Sequence, residues 1–150
     1  RAARYFGPRD FRLVEIERPV PGRGEALLRV RAAGLCHSDL HIIFDELGGF
    51  PIPAPLTLGT DLGEAVELGE GVTGVEIGRR YAVFGPVGCG NCGFCRSGHD
   101  NLCSESRWMG IARDGGYADY VAVPVQALVP VPDAVPDAVA AVATDAVLTS

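Results

Sequence analysis

Residues 88–103 read GCGNCGFCRSGHDNLC and hold four of the chain's five cysteines, Cys89, Cys92, Cys95 and Cys103, as C-x2-C-x2-C-x7-C. No other stretch constrains the fold as strongly. The run is rich in glycine and nearly devoid of apolar side chains, so it has no core of its own and must be held by its sulfurs. Two-residue gaps let successive sulfurs converge, and Gly88, Gly90 and Gly93 permit the tight turns this needs. Four thiolates in a tetrahedral array suit zinc and leave no open position, which makes the expected site structural, with Arg96 or Arg107 offsetting its negative charge. The alternatives are two disulfides or an iron–sulfur cluster. No secretory leader opens the sequence, so a reducing cytoplasmic setting is expected, and this disfavours disulfides. The spacing alone does not exclude iron.

The remaining composition narrows the class. The chain has 150 residues, one domain's worth, with 47% apolar and 21% charged residues, which is not the composition of a disordered tail. A net charge of -6 with no basic stripe argues against nucleic acid as a partner. No apolar run approaches the ~20 residues a membrane-spanning helix needs.

Twenty glycines and eleven prolines point to many turns and short strands. EALLRVRA alternates, with Leu28, Val30 and Ala32 on one face and Arg29 and Arg31 on the other. EAVEL, RYAVFG, YADYVAV and ALVPV are short, β-branched or aromatic, and bounded by Gly or Pro. The pattern predicts a β-rich α+β domain, a barrel or sandwich. One Ala-rich helix is expected late, over about 136–149, with Pro136 in its first turn and Asp137 favouring its positive end. A shorter helix is expected over about 38–44, capped by Ser38. GEGVTG and GCGNCG both fit G-x-G-x-x-G, yet neither lies between a strand and a helix, so no nucleotide-binding unit is expected here.

GLCHSDLH, residues 34–41, places the fifth cysteine, Cys36, beside His37, Ser38, Asp39 and His41. Taken with the four-cysteine run, LGTDLGEAVELGEGV, DGGYADYV and ATDAVLTS, and with the order of these segments, the sequence resembles the zinc-containing medium-chain alcohol dehydrogenases in their N-terminal GroES-like catalytic domain. The resemblance covers essentially all 150 residues. It implies a GroES-like, partly open barrel with a structural-zinc lobe over about 86–108. The last helix would lead toward a dinucleotide-binding domain outside this sequence. It also implies that Cys36 is the first ligand of a catalytic zinc and Asp145 a further one. Ser38 would accept the substrate proton, His41 would pass it to solvent, His37 would contact the cofactor pyrophosphate, and Asp39 would steady a ligand histidine. A zinc with an open position is a Lewis acid that lowers the pKa of an alcohol, and an imidazole titrates in the range a relay requires.

Where the family carries its histidine ligand this sequence has Thr60, followed by Asp61 in place of glutamate. Glu64 stands in place of a glycine, and Gly78-Arg79-Arg80 replaces a G-D-R turn. A threonine hydroxyl is a poor zinc ligand. The expectation is a catalytic zinc weakened or lost, or one rebuilt on Cys36, Asp61 and Asp145, with Asp39 free to accept a hydrogen bond from Thr60. The implied function is interconversion of an alcohol and an aldehyde or ketone with NAD or NADP, by a homo-oligomer when full length. The alternatives are a double-bond reductase of the same family lacking catalytic zinc, and a noncatalytic GroES-like domain. The substrate pocket is expected near Phe44, Phe50 and Trp108, without nucleic-acid or membrane partners.

Overall fold

The computed structural model describes residues 1–45 and 51–144. Phe50 and Asp145, both named above, lie outside the described residues, as does the end of the expected last helix. Among the described residues no helix is long and apolar enough to cross a membrane.

Among the described residues eight strands form two antiparallel sheets. β1 (Ala2–Gly7), β2 (Asp10–Val14) and β4 (Leu56–Thr57) make a three-stranded sheet in the order β2-β1-β4. β3 (Glu25–Gly34), β5 (Thr60–Leu68), β6 (Arg80–Val83), β7 (Tyr120–Pro124) and β8 (Leu128–Pro130) make a five-stranded sheet in the order β7-β3-β5-β6-β8. Both sheets stay open. The four strand-like segments read from sequence fall within β5 to β8. The N-terminal hairpin β1–β2 is an addition that the sequence pattern did not announce. Alternation in β3 holds from Leu28 onward, whereas Ala26, Leu27 and Leu28 are all buried, because this central strand is covered on both faces at its start.

Three buried clusters hold the domain together. Leu28, Ala65, Val83, Met109, Val121 and Val123 pack at the centre of the large sheet. Leu62, Ala82 and Val131 meet Ala140 and Ala141 of helix α3 (Asp137–Ala143). Tyr5, Leu56 and Leu58 meet Ile42 of helix α1 (His37–Phe44). Pro136 is the N-cap of α3 and Asp137 lies in its first turn, in keeping with the expected start. Helix α1 begins one residue earlier than expected: its N-cap is Cys36, so Ser38 lies inside the first turn. The Cys36 N–H donates to Asp39 Oδ2 at 2.9 Å, so the carboxylate three residues on supplies the local acceptor.

The register of β3 against β5 fixes the site's geometry. Gly34 pairs with Thr60 and Ala33 with Asp61, which brings the start of GLC beside the start of TDLG. A side chain at Gly34 would press on Thr60 Oγ1 at 3.3 Å and on the Ala141 carbonyl at 3.0 Å. The missing Cβ lets α3 and Thr60 approach the strand.

Candidate metal lobe and catalytic cleft

The four clustered cysteines converge. Their sulfurs all lie within 4.8 Å of one another, and they are the one group of three or more Cys, His, Asp or Glu donors so placed among the described residues. Cys92 Sγ is 3.5 Å from Cys95 Sγ, and Cys89 Sγ is 4.0 Å from it. Tetrahedral zinc with Zn–S bonds of about 2.3 Å requires sulfur spacings of about 3.8 Å, so the donor set fits zinc. None of the four forms a disulfide. Backbone N–H groups supply compensating charge. Those of Asn91 and Cys92 reach Cys89 Sγ, that of Cys95 reaches Cys92 Sγ, and that of Cys89 reaches Cys103 Sγ, at 3.4–3.5 Å. The Asn91 and Cys92 amides lower the Cys89 thiol to about 7, whereas burial pushes Cys95 up to about 12. Gly88 is required by space: a Cβ there would sit 2.6 Å from Cys95 Sγ.

The base of this lobe is clamped. Arg107 N–H donates to the Val87 carbonyl at 2.9 Å and Met109 N–H to the Gly85 carbonyl at 3.0 Å. The clamp brings Trp108 to a cleft of about 80 Å³ between α1 and the start of β5. Cys36, Ser38, Asp39, Thr60 and Thr144 give the cleft a polar side. Ile42, Pro86, Trp108, Met109 and Ile111 supply its apolar lining.

Cys36 and Ser38, expected as metal ligand and proton acceptor, thus open onto one cleft. His41 lies one turn beyond Ser38 and is half-buried. His37 is exposed, its ring 5.9 Å from that of His41. Phe44 does not line the cleft; it lies beneath the Arg9 guanidinium at 5.9 Å. Asp39 is buried, and its Oδ2 accepts from the Cys36 N–H and from the Tyr117 hydroxyl at 3.1 Å, rather than from the hydroxyl expected at Thr60. Tyr117 Oη also lies 3.0 Å from the Gly34 carbonyl. Burial, then the Asp39 charge, raises the Tyr117 hydroxyl far above its ordinary value, so it remains a donor. Tyr117 is the residue sequence reasoning missed: its segment was singled out, but its partner lies 78 positions away.

Asp61 stands apart from the cleft lining. It is wholly buried, and neither carboxylate oxygen has a hydrogen-bond partner. Burial raises it well above the usual carboxylate range. A buried carboxylate without donors is the chemistry a cation satisfies. Yet Cys36 and Asp61 meet no third Cys, His, Asp or Glu donor within the described residues.

The family model for the alcohol dehydrogenase GroES-like domain matches residues 22–133. The L-threonine 3-dehydrogenase of Xanthomonas oryzae pv. oryzae is 36% identical over 131 residues, covering 86% of this chain and 38% of that protein. The chain therefore spans about 38% of the length of such curated relatives. The acetophenone reductase of Geotrichum candidum, solved in complex with NAD, superposes with a TM-score of 0.87 at 44% identity, over 99% of this chain and 44% of that one. The cobalt- and zinc-bound thermostable alcohol dehydrogenase of Pyrobaculum aerophilum superposes with a TM-score of 0.85 at 33% identity, over 95% of this chain and 44% of that one. With the converged cysteines and the two open sheets, these matches show that the chain belongs to the zinc-containing medium-chain alcohol dehydrogenase family, as its GroES-like domain.

Proposed function

We propose that this chain is the catalytic domain of a longer alcohol dehydrogenase, which oxidises an alcohol to an aldehyde or ketone with NAD or NADP as hydride acceptor. The cofactor would be bound mainly by a dinucleotide-binding domain outside these residues. The observation that carries the proposal is the meeting of Cys36, Ser38 and Thr60 at one cleft, walled by Trp108 at the foot of the cysteine lobe. The resemblance to NAD-bound acetophenone reductase supports the reaction class.

Each residue has a task in this reading. Cys89, Cys92, Cys95 and Cys103 hold structural zinc and keep the lobe folded. Cys36, Asp61 and Asp145 would be the donors for a second zinc, with the buried Asp61 carboxylate having to turn toward the cleft, and that zinc would supply Lewis acidity toward an alcohol oxygen. Thr60 makes that set weaker than one with an imidazole. Ser38 Oγ takes the hydroxyl proton of the substrate. His41 lies three residues on, on the neighbouring turn of the same helix face, and passes the proton to solvent. His37, exposed at the helix start, approaches the cofactor pyrophosphate.

Thr60 also favours a second reading, a double-bond reductase that works without the second zinc. The full-length protein separates the two. Alcohol-dependent NAD(P) reduction that a chelator abolishes supports the dehydrogenase. Chelator-resistant reduction of an activated alkene, with one zinc per chain, supports the reductase. The relatives offer two substrate chemistries for the first reading: an amino-acid zwitterion, L-threonine, and an aryl ketone, acetophenone.

A further inference from the structure

We propose that Cys92 and Cys95 form a reversible thiol–disulfide pair, which a hydroperoxide oxidises with loss of the lobe's metal. The proposal rests on reading the lobe as a zinc site, and it gives two of the four clustered sulfurs a second, redox task.

The pair is built into one helical turn. Cys92 is the N-cap of the short helix α2 (Gly93–Arg96), and Cys95 lies inside it. The Arg96 N–H donates to the Cys92 carbonyl at 3.0 Å and seats the cap on that turn. Cα atoms three positions apart on a helix are about 5 Å apart, inside the ~4.4–6.8 Å span of a disulfide. The two sulfurs already stand 3.5 Å apart, so closing to the ~2.05 Å of an S–S bond asks for side-chain rotation and little backbone movement. Other pairings are less favoured. Cys89 Sγ is 4.0 Å from Cys95 Sγ, and joining them closes a longer loop, six positions instead of three. Cys89 and Cys92 share the two-residue gap, but Gly90 at φ 74 turns the backbone between them and no helix fixes their separation.

A small oxidant has access to this pair before the others. Cys92 and Cys95 are half-buried, no residue of α2 is buried, and Gly93, Phe94, Arg96 and Ser97 around them are exposed, whereas Cys103 is buried. Both sulfurs are thiolates when zinc is bound, and the thiolate is the form that attacks. With hydrogen peroxide, the first sulfur attacks one oxygen: an S–O bond forms, the O–O bond breaks, and the departing hydroxide takes a proton to become water. The second sulfur then attacks the sulfenic sulfur: the S–S bond forms, the S–O bond breaks, and a second hydroxide leaves as water with a second proton. Two thiolates have given up two electrons and the peroxide has gained them. Cys89 and Cys103 are then the remaining donors, too few for a closed zinc site. They keep their backbone donors, the amides of Asn91 and Cys92 on Cys89 and of Cys89 on Cys103. The core clusters of the two sheets include no residue of α2, so the loss is local, and a dithiol reductant with zinc restores the lobe.

The test treats the full-length protein with hydrogen peroxide, follows zinc release with a chromophoric chelator, and maps the cysteines by differential alkylation and tandem mass spectrometry. One zinc per chain is expected to leave as Cys92 and Cys95 become joined, with Cys89 and Cys103 still open to alkylation. Dithiothreitol and zinc are expected to reverse both changes. Cys92→His keeps a zinc donor at that position and removes the pair, so it is expected to retain zinc and to slow peroxide-driven release by ~10-fold or more. Cys95→His repeats the test should the first variant not hold the metal, and the map of the parent protein stands without either. A disulfide between any other two of the cysteines, zinc release with no disulfide, or no release at all overturns the proposal. Should the lobe of the purified protein hold no zinc, the zinc reading fails by itself. The map of the oxidised, metal-free protein then decides: Cys92 joined to Cys95 supports the pair, and any other result overturns it.

Discussion

Gly116 lies against the carboxylate of Asp61: a Cβ built on Gly116 would fall 1.5 Å from Asp61 Oδ1 and 2.0 Å from its Cγ. The loop after the metal lobe therefore closes over the buried acid with bare backbone, and only glycine fits. Gly116→Ala is expected to cost about 3 kcal/mol and to lower Tm by ~6–12 °C. The companion variant is Asp61→Ala combined with Gly116→Ala. If the clash is the cause, truncating the carboxylate frees the space and the double variant recovers part of the loss. A Gly116→Ala protein melting within a degree or two of the parent would show that the two groups do not touch.

Tyr117 presents a second test. Its hydroxyl reaches the buried Asp39, which in turn holds the Cys36 N–H at the start of α1. Tyr117→Phe removes a donor from a buried charge, at an expected cost of ~1.5–3 kcal/mol in urea unfolding. Exchange of the Cys36 amide hydrogen should also quicken, because its acceptor loses an anchor. Unchanged stability together with unchanged exchange would remove Tyr117 from the site's support.

What the sequence made legible follows physical range. β3 announced itself through alternation, and the metal lobe through cysteine spacing, because both signals are local. The β1–β2 hairpin did not. Its turn carries Arg9 at φ 62, a residue that seldom adopts this conformation, and the Arg9 N–H is held by the distant Ile43 carbonyl at 2.7 Å. Arg80 was read only as a departure from a familiar turn. Its guanidinium in fact gathers the carbonyls of Pro132 and Val135 and the Asp137 carboxylate, contacts more than fifty positions away in sequence. Asp61 was read as a carboxylate able to swing toward a metal. Its burial depends on Gly116, which no local pattern links to it.

The Arg80–Asp137 pair gives a pH prediction. Asp137 bonds Arg80 at 2.6 Å and Arg31 at 2.7 Å, tying α3 to β6 and β3. The Arg80 hydrogen bond first, then that of Arg31, holds the Asp137 carboxyl below its ordinary value. A depressed folded pKa means that the contribution is complete above the unfolded value of about 3.9 and is lost as pH falls through the folded value. Asp137→Asn is therefore expected to be less stable than the parent near neutral pH, with the gap closing as the medium is acidified below about 4. Urea midpoints across that range check it. A gap that persists undiminished in acid would mean that the ion pairs are not its source.

The cysteine lobe gives the last prediction, and it separates zinc from the alternatives that spacing left open. Sulfurs at 3.5–4.0 Å, served by backbone N–H groups, match a tetrahedral zinc and exceed the ~2.05 Å of a disulfide. Within residues 88–106 Cys103 is the one buried residue, so the metal rather than a core holds this run. Cys92→Ser, or prolonged chelation, is expected to release one zinc per chain on native mass spectrometry. Limited proteolysis should then cut within residues 88–106 while the strand signal in circular dichroism persists, because the two sheets draw on separate clusters of buried side chains. Visible absorbance bleached by reductant would assign the lobe to iron. A mass two protons lighter per sulfur pair, without metal, would assign it to disulfides. Loss of zinc with no new cleavage would mean that the backbone alone holds the lobe, and the clamp of Arg107 and Met109 on Val87 and Gly85 would then carry the placement of Trp108 unaided.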